Sequence, residues 1–305
     1  MIPKKSLGQN FLINEDIAEK IAKSAGLTSR DSILEIGPGK GILTKYLAEK
    51  AGRFLAVEID GNLIRDLNKK FKNLRDFHSR PRFTRISSSG DAENIPGGWI
   101  PHQVRDAEKR IGIIEGDILR INLPKLIEDN NFQDYKVVAN LPYYITSKII
   151  RLLLETKYPP GEMVLMIQKE VGERIVALDG KESILSISVK YYASPEMLFG
   201  VPRENFEPAP EVDSAVIRIK RKTNPPETDA GEFFSLVRAG FSSKRKMLAN
   251  NLSSVFHVQK TNAINLIKKS GLDPKVRAEK LGVEDWIRLS KELRREEINV
   301  LKESR

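Results

Sequence analysis

The chain has 305 residues, 40% hydrophobic and 30% charged, a balance that suits one large globular domain plus a smaller one. Its 51 Lys and Arg outnumber 41 Asp and Glu for a net charge of +10, which favours a polyanionic partner such as RNA or DNA, or an acidic membrane surface. Without Cys there can be no disulfide and no thiolate zinc site; the three His (His78, His102, His257) show no ligand spacing, no apolar run approaches the ~20 residues that span a bilayer, and Met1–Lys5 is unlike the start of a signal peptide, so no metal, no membrane and a cytoplasmic location are expected.

The N-terminal Lys4-Lys5-Ser6-Leu7-Gly8-Gln9-Asn10-Phe11-Leu12 is basic, then polar, then apolar. Asn14 is placed to cap a helix over Glu15–Ala25, with acids in the first turn and Gly26 past its end. Strands are expected at Ser32–Ile36, Phe54–Ile59, Ile111–Glu115, Tyr135–Ala139 and Met163–Ile167. Between and after them lie helices at Gly41–Ala51, Leu63–Phe71, Thr146–Thr156 (capped by Thr146) and Lys169–Ala177. That alternation implies right-handed crossovers and a parallel sheet covered on both faces. Glu196–Val201 and Val212–Lys220 would close the sheet as an antiparallel hairpin. Lys222–Gly231 carries Pro225-Pro226 and reads as a linker, after which Phe233–Phe256, Thr261–Ser270 and Val283–Lys302 read as helices. The expected domains are 1–222 and a helical 226–305. The latter holds 16 Lys and Arg against 11 Asp and Glu, half the net charge in about a quarter of the chain.

Leu74–Arg110 does not fit an α/β unit, where a connection of about 2–6 residues is usual. Its Ser87-Ser88-Ser89-Gly90, Pro96-Gly97-Gly98-Trp99 and repeated Arg show no sustained periodicity, and it reads as an insertion. It is either a surface segment without function or one that touches RNA.

Two strand ends carry the chemistry. Glu35-Ile36-Gly37-Pro38-Gly39-Lys40-Gly41 follows the first strand, with Gly-x-Gly-x-Gly spacing rather than the Gly-x-Gly-x-x-Gly of dinucleotide binders. Glu58, ending the second strand, suits ribose hydroxyls, and Asp117, after the third, suits an adenine amine; the plainer alternative is carboxylates that cap helices. Asn140-Leu141-Pro142-Tyr143 ends the fourth strand. The exocyclic amine of adenine is a poor nucleophile because its lone pair is delocalised into the ring. The Asn140 side-chain oxygen and the Leu141 carbonyl can accept both N–H groups and localise it. Pro142 stiffens the backbone, and Tyr143 can stack on a base that has left its helix. Phe206-Glu207-Pro208-Ala209-Pro210 supplies a second aromatic, which either closes the other face of the base or packs in the core. Phe241-Ser242-Ser243-Lys244-Arg245-Lys246 gathers three cations at a helical position, suited to phosphates.

Leu7–Leu12, Glu35–Gly41, Asn140–Tyr143, Phe206–Pro210 with Val212-Asp213-Ser214-Ala215, Phe241–Arg245 and Arg277-Ala278-Glu279-Lys280-Leu281 together resemble the small-subunit ribosomal RNA adenine N6,N6-dimethyltransferase family, in order over nearly the whole chain. The resemblance is to the bacterial branch. It implies a Rossmann-like S-adenosylmethionine-dependent methyltransferase sheet with a small all-α C-terminal domain, acting as a monomer. The reaction implied is dimethylation of N6 on two adjacent adenosines near the 3′ end of 16S rRNA in small-subunit (30S) precursors. S-Adenosylmethionine would be lined by Asn10, Leu12, Gly37, Glu58, Asp117 and Asn140. Tyr143 and Phe206 would sandwich the adenine. Three rival readings stand beside it: a large-subunit rRNA adenine methyltransferase conferring antibiotic resistance, a non-catalytic ribosome-assembly factor, and a mitochondrial transcription-factor relative. The chain departs from the family in the long Leu74–Arg110 insertion and in lacking a Tyr-Gly pair within Asp179–Ser183.

Overall fold

The computed structural model describes residues 9–71, 110–132 and 134–303. The expected insertion lies outside the described residues except for Arg110, and so do Leu7 and Gly8. The chain forms two compact units. Met1–Gly172 with Glu196–Arg221 makes a sheet unit, and Glu173–Pro195 with Lys222–Arg305 makes a helical unit.

In the sheet unit, β1 (Phe11–Leu12) precedes α1 (Glu15–Ser24), whose Asn14 side chain accepts the Asp16 and Ile17 amides. β2 (Ser32–Ile36), α2 (Ile42–Lys50), β3 (Arg53–Glu58), α3 (Gly61–Lys70) and β4 (Arg110–Glu115) follow. α4 (Leu123–Asp129) was not expected from the sequence; Asn122 caps it on the Lys125 amide, and Pro124 sits in its first turn. Then come β5 (Lys136–Asn140), a 3-10 turn (Tyr143–Ile145), α5 (Thr146–Glu155), β6 (Glu162–Gln168) and α6 (Lys169–Val176). Thr146 is not the cap of α5. It is the first helical residue, and its hydroxyl donates to the Pro142 carbonyl at 3.1 Å.

The strand order is β4-β3-β2-β5-β6, extended by β9 (Ser214–Arg221) and β7 (Ala193–Val201). β2 through β6 pair in parallel, and β9 runs antiparallel to β6. β2, β5 and β6 have almost wholly buried interiors, as expected of strands covered on both faces. Between β9 and β7 in the chain, β8 (Phe206–Glu207) pairs with β1, setting Phe206 opposite Leu12.

The helical unit contains α7 (Ile184–Tyr192), α8 (Ala230–Gly240), α9 (Leu248–Phe256), α10 (Lys260–Lys269) and α11 (Val283–Glu303). It takes in Glu173–Pro195, beyond the expected 226–305 boundary, because Ile187 and Tyr191 of α7 pack in the same core as Phe233, Phe234 and Trp286. Tyr191 lies with its ring 4.4 Å from Phe233, and its hydroxyl reaches the Thr228 hydroxyl at 2.9 Å. The single helix expected over Phe233–Phe256 is two. The buried Asn251 side chain donates to the carbonyls of Gly240 (2.5 Å) and Ser243 (3.0 Å), satisfying the end of α8 and folding Phe241–Met247 into a turn. Lys244, Arg245 and Lys246 therefore sit on a turn, not on a helix.

Candidate active site

The chain leaves β4 on one side of β2 and re-enters the sheet at β5 on the other, so the topological switch lies between β2 and β5. Their paired register runs from Ile33–Lys136 to Leu34–Val137, whereas β5 follows β6 up to Asn140–Met166. Beyond Leu34 the carboxyl ends are free to part. A cavity of about 180 Å³ opens there, lined by the turn after β2, the ends of β3 and β4, the 140–145 segment and β1.

The turn after β2 adopts the left-handed region at Gly39 (φ 58°) and Gly41 (φ 76°), where a side chain would be strained. Space is tight as well: a Cβ on Gly39 would meet the Phe11 ring at 3.1 Å, and one on Gly41 would meet Leu67 at 2.6 Å, so each neighbour would have to shift. Glu58 holds this turn. Its Oε2 accepts the Gly39 amide at 3.1 Å, and its Oε1 accepts the Ile59 and Asp60 amides, each at 2.9 Å. Oε1 is saturated and Oε2 keeps one lone pair. Burial raises the Glu58 pKa, against the pull of the three amides, with Asp60 raising it further. Glu35, 1% exposed on the cavity floor, accepts the Thr44 hydroxyl at 2.7 Å. Burial, reinforced by Glu58, pushes it up to about 8, so its neutral acid form predominates at pH 7.

Across the cavity, the Asn140 Nδ2 donates to the Asn10 carbonyl at 3.4 Å, which leaves Oδ1 as the acceptor. The Leu141 amide is tied to Met166 O at 3.0 Å, and its carbonyl has no partner among the described residues. The Pro142 carbonyl is occupied by the Thr146 hydroxyl and the Ile145 amide. Tyr143 is half-buried, its hydroxyl 2.6 Å from Ser214 Oγ; burial holds the phenol above its ordinary pKa, so it stays neutral.

Asn10, Leu12, Gly37, Glu58 and Asp117 all line this one cavity, and so do Asn140, Leu141, Pro142 and Tyr143. Phe206 is not on its walls. It is 3% exposed, buried in the core of the sheet unit with Leu12. Asp117 lines the cavity with a carboxylate already accepting the Leu119 amide at 3.0 Å and lying 3.5 Å from Arg120. Neither Ile59 (47% exposed) nor Tyr144 (58% exposed) stands out in the sequence, yet both line the cavity. The available signals were the apolar residue straight after the β3 acid and the Tyr143-Tyr144 doublet. Among the described residues the walls carry the Glu58 and Asp117 carboxyls, the neutral Glu35 acid and one ammonium, Lys40, paired with Glu207 at 3.2 Å. A free lone pair on a carboxylate, an exposed apolar face at Ile59 and an acidic surround suit a nucleoside that carries positive charge, as S-adenosylmethionine does. Among the described residues no cluster of His, Asp and Glu could hold a metal ion, and no helix is long and apolar enough to cross a membrane.

A sheet in this order, with its strand ends opening on such a cavity, defines a Rossmann-like α/β fold with its binding site at the topological switch. The sequence model of the ribosomal RNA adenine dimethylases matches residues 3–81 and 100–295, passing over part of the expected insertion. The chain is 37% identical over 288 residues to the ribosomal RNA small subunit methyltransferase A of Dehalococcoides mccartyi, covering 94% of this chain and 87% of that one. It is 36% identical over 303 residues to the protein of the same name from Moorella thermoacetica, covering 96% and 93%. Among solved structures it resembles a dimethyladenosine transferase from Plasmodium falciparum (TM-score 0.71, 24% identity, 93% and 98% covered) and a 23S rRNA methyltransferase (TM-score 0.66, 22% identity, 93% and 100% covered), likenesses that speak for the fold. The chain belongs to the ribosomal RNA adenine dimethylase family.

Proposed function

We propose that the protein dimethylates N6 of two adjacent adenosines near the 3′ end of small-subunit (16S) rRNA, in the cytoplasm, on precursors of the 30S subunit. The observation that carries this reading is the meeting of the Gly37–Gly41 turn and Asn140–Tyr143 in one cavity, so that a nucleoside cofactor and a base share it.

S-Adenosylmethionine, when bound, supplies an electrophilic methyl group. Glu58 Oε2 would hold a ribose hydroxyl, Ile59 would cover an adenine face, and Asn10, Leu12, Gly37 and Asp117 would complete the walls. Asp117 would orient the adenine amine through whatever lone pair Leu119 and Arg120 leave. On the substrate side, Asn140 Oδ1 and the Leu141 carbonyl accept from the two N6–H groups, localising the lone pair and aiming it. Pro142 contributes rigidity: its carbonyl is consumed locally, so it does not compete for the amine. Tyr143, fixed through Ser214, stacks on the base. Phe206 acts behind the wall, packing with Leu12 to hold β1 in place. Positioning and electrostatics supply most of the catalysis. The Lys244–Lys246 turn holds phosphates.

The test is transfer of labelled methyl from S-adenosylmethionine to small subunits purified from cells lacking the modification, with mass mapping of the product. Dimethyladenosine at two adjacent 3′-end positions is the expected result. Methylation of large-subunit rRNA instead, or subunit binding without incorporation, would overturn it.

A further inference from the structure

Tyr143 and Tyr144 are consecutive, yet the structure treats them differently. Tyr143 is half-buried and tethered to Ser214. Tyr144 is 58% exposed, lines the same cavity, and no hydrogen bond holds its hydroxyl among the described residues. Both sit in the 3-10 turn Tyr143–Ile145, where about three residues per turn splay successive side chains by roughly 120°. The backbone beneath them is rigid, since the Ile145 amide (3.3 Å) and the Thr146 hydroxyl (3.1 Å) both close on the Pro142 carbonyl. A large aromatic held out to solvent on a fixed turn beside a cavity keeps its apolar faces open to what binds there.

We infer that Tyr144 is a stacking platform for the nucleotide next to the target adenosine, a subsite for a base of single-stranded RNA at the mouth of the cavity. The inference rests on the reading of the cavity as an adenosine pocket. A base drawn into it loses its stack on the neighbouring base, and the neighbour is left with an exposed face. An untethered ring outside the pocket can turn to cover that face whatever the base is, because every base offers a π surface. Lys148, exposed, forms no ion pair among the described residues and stands four residues along from Tyr144, where it can meet a phosphate of the same strand. Tyr143 thus takes the base that reacts and Tyr144 the base beside it. An enzyme acting on adjacent adenosines would present each to the platform while the other is in the pocket.

The experiment compares Tyr144→Ala, Tyr144→Leu and Tyr144→Phe with the wild type in steady-state methyl transfer to unmodified small subunits, alongside equilibrium binding of S-adenosylmethionine. Stacking predicts a rise in KM for the subunit of about ten-fold in Y144A and Y144L, with the loss falling on KM rather than kcat, rescue in Y144F, and cofactor affinity unchanged in all three. An unchanged KM in Y144A overturns the inference, as does a KM that rises equally in Y144F. A parallel loss of cofactor binding also overturns it by assigning the ring to the cofactor site. A wild-type protein that transfers no methyl overturns the reading of the pocket and the inference together, which separates that failure from the others.

Discussion

Replacing Glu35 by Gln tests whether the floor of the cavity holds a neutral acid. The carboxyl is 1% exposed and touches one donor, the Thr44 hydroxyl. Its pKa rises from 4.5 to about 8 on folding, through burial and the nearby Glu58. Below pH 4.5 both the folded and unfolded states keep the proton and the group is neutral with respect to stability. Above that the unfolded chain sheds its proton while the native state retains it, so stability falls as pH rises, levelling off near pH 8. Between pH 5 and pH 8 the loss from this one group is roughly 3 kcal/mol, taking about 1.4 kcal/mol per pH unit. Gln cannot titrate, and its Oε1 still accepts from Thr44. The Glu35→Gln protein should therefore lose less stability over that range, while Glu58, whose pKa is also raised by burial, keeps contributing a slope of the same sign. Urea unfolding of both cofactor-free proteins, followed by far-ultraviolet circular dichroism from pH 5 to 8, measures the difference. Parallel curves, or a wild type that gains on the variant as pH rises, would refute the argument and show that Glu35 is ionised in the folded protein.

Asn140→Ala removes the acceptor aimed at N6 and should lower kcat by roughly a hundred- to a thousand-fold. Because its own tie to the fold is a 3.4 Å bond to Asn10, cofactor affinity should fall by less than about ten-fold; labelled transfer plus calorimetry measures both, and full activity would sink the proposed mechanism. Gly240→Ala should lower the stability of the helical unit by about 1–3 kcal/mol, seen in thermal unfolding, since the new Cβ would lie 2.2 Å from the buried Trp286 ring. An unshifted melting temperature would mean that this core is loosely packed. Neutralising Lys244, Arg245 or Lys246, all exposed and unpaired among the described residues, should each reduce the slope of log affinity for rRNA against log salt by about one; a slope indifferent to all three would remove the turn from the RNA-binding surface.

Local chemistry wrote much of the sheet unit into the chain. Ser32–Ile36 reads as a strand because five buried residues run into a glycine turn, and Asn14 reads as a cap because its side chain competes for the first amides of α1. The left-handed turn after β2 was legible because glycine is the residue that meets its backbone demand without strain. The helical unit was harder to read. The break in Phe233–Phe256 left only a local trace, Gly240 and the polar run Ser242–Lys246; the turn is held by Asn251, whose amide reaches back to Gly240 and Ser243. α7 escaped notice because its apolar residues answer to Phe233 and Phe234, some forty positions later in the chain.

The sequence by itself determined which groups could do the chemistry: a glycine turn, strand-end carboxylates, and an amide-proline-aromatic segment, each short enough for its spacing to carry meaning. Tertiary structure decided which of them share a space. The β2–β5 switch brought Gly37 and Asn140, about a hundred residues apart, onto one cavity. The pairing of β8 with β1 turned Phe206 into the core behind it. Burial settled protonation, making a neutral acid of Glu35, and left Tyr144 exposed beside a tethered Tyr143. Spacing along a chain fixes what neighbours can do. Exposure, pairing across a sheet and the dielectric around a carboxyl depend on residues that only folding brings near.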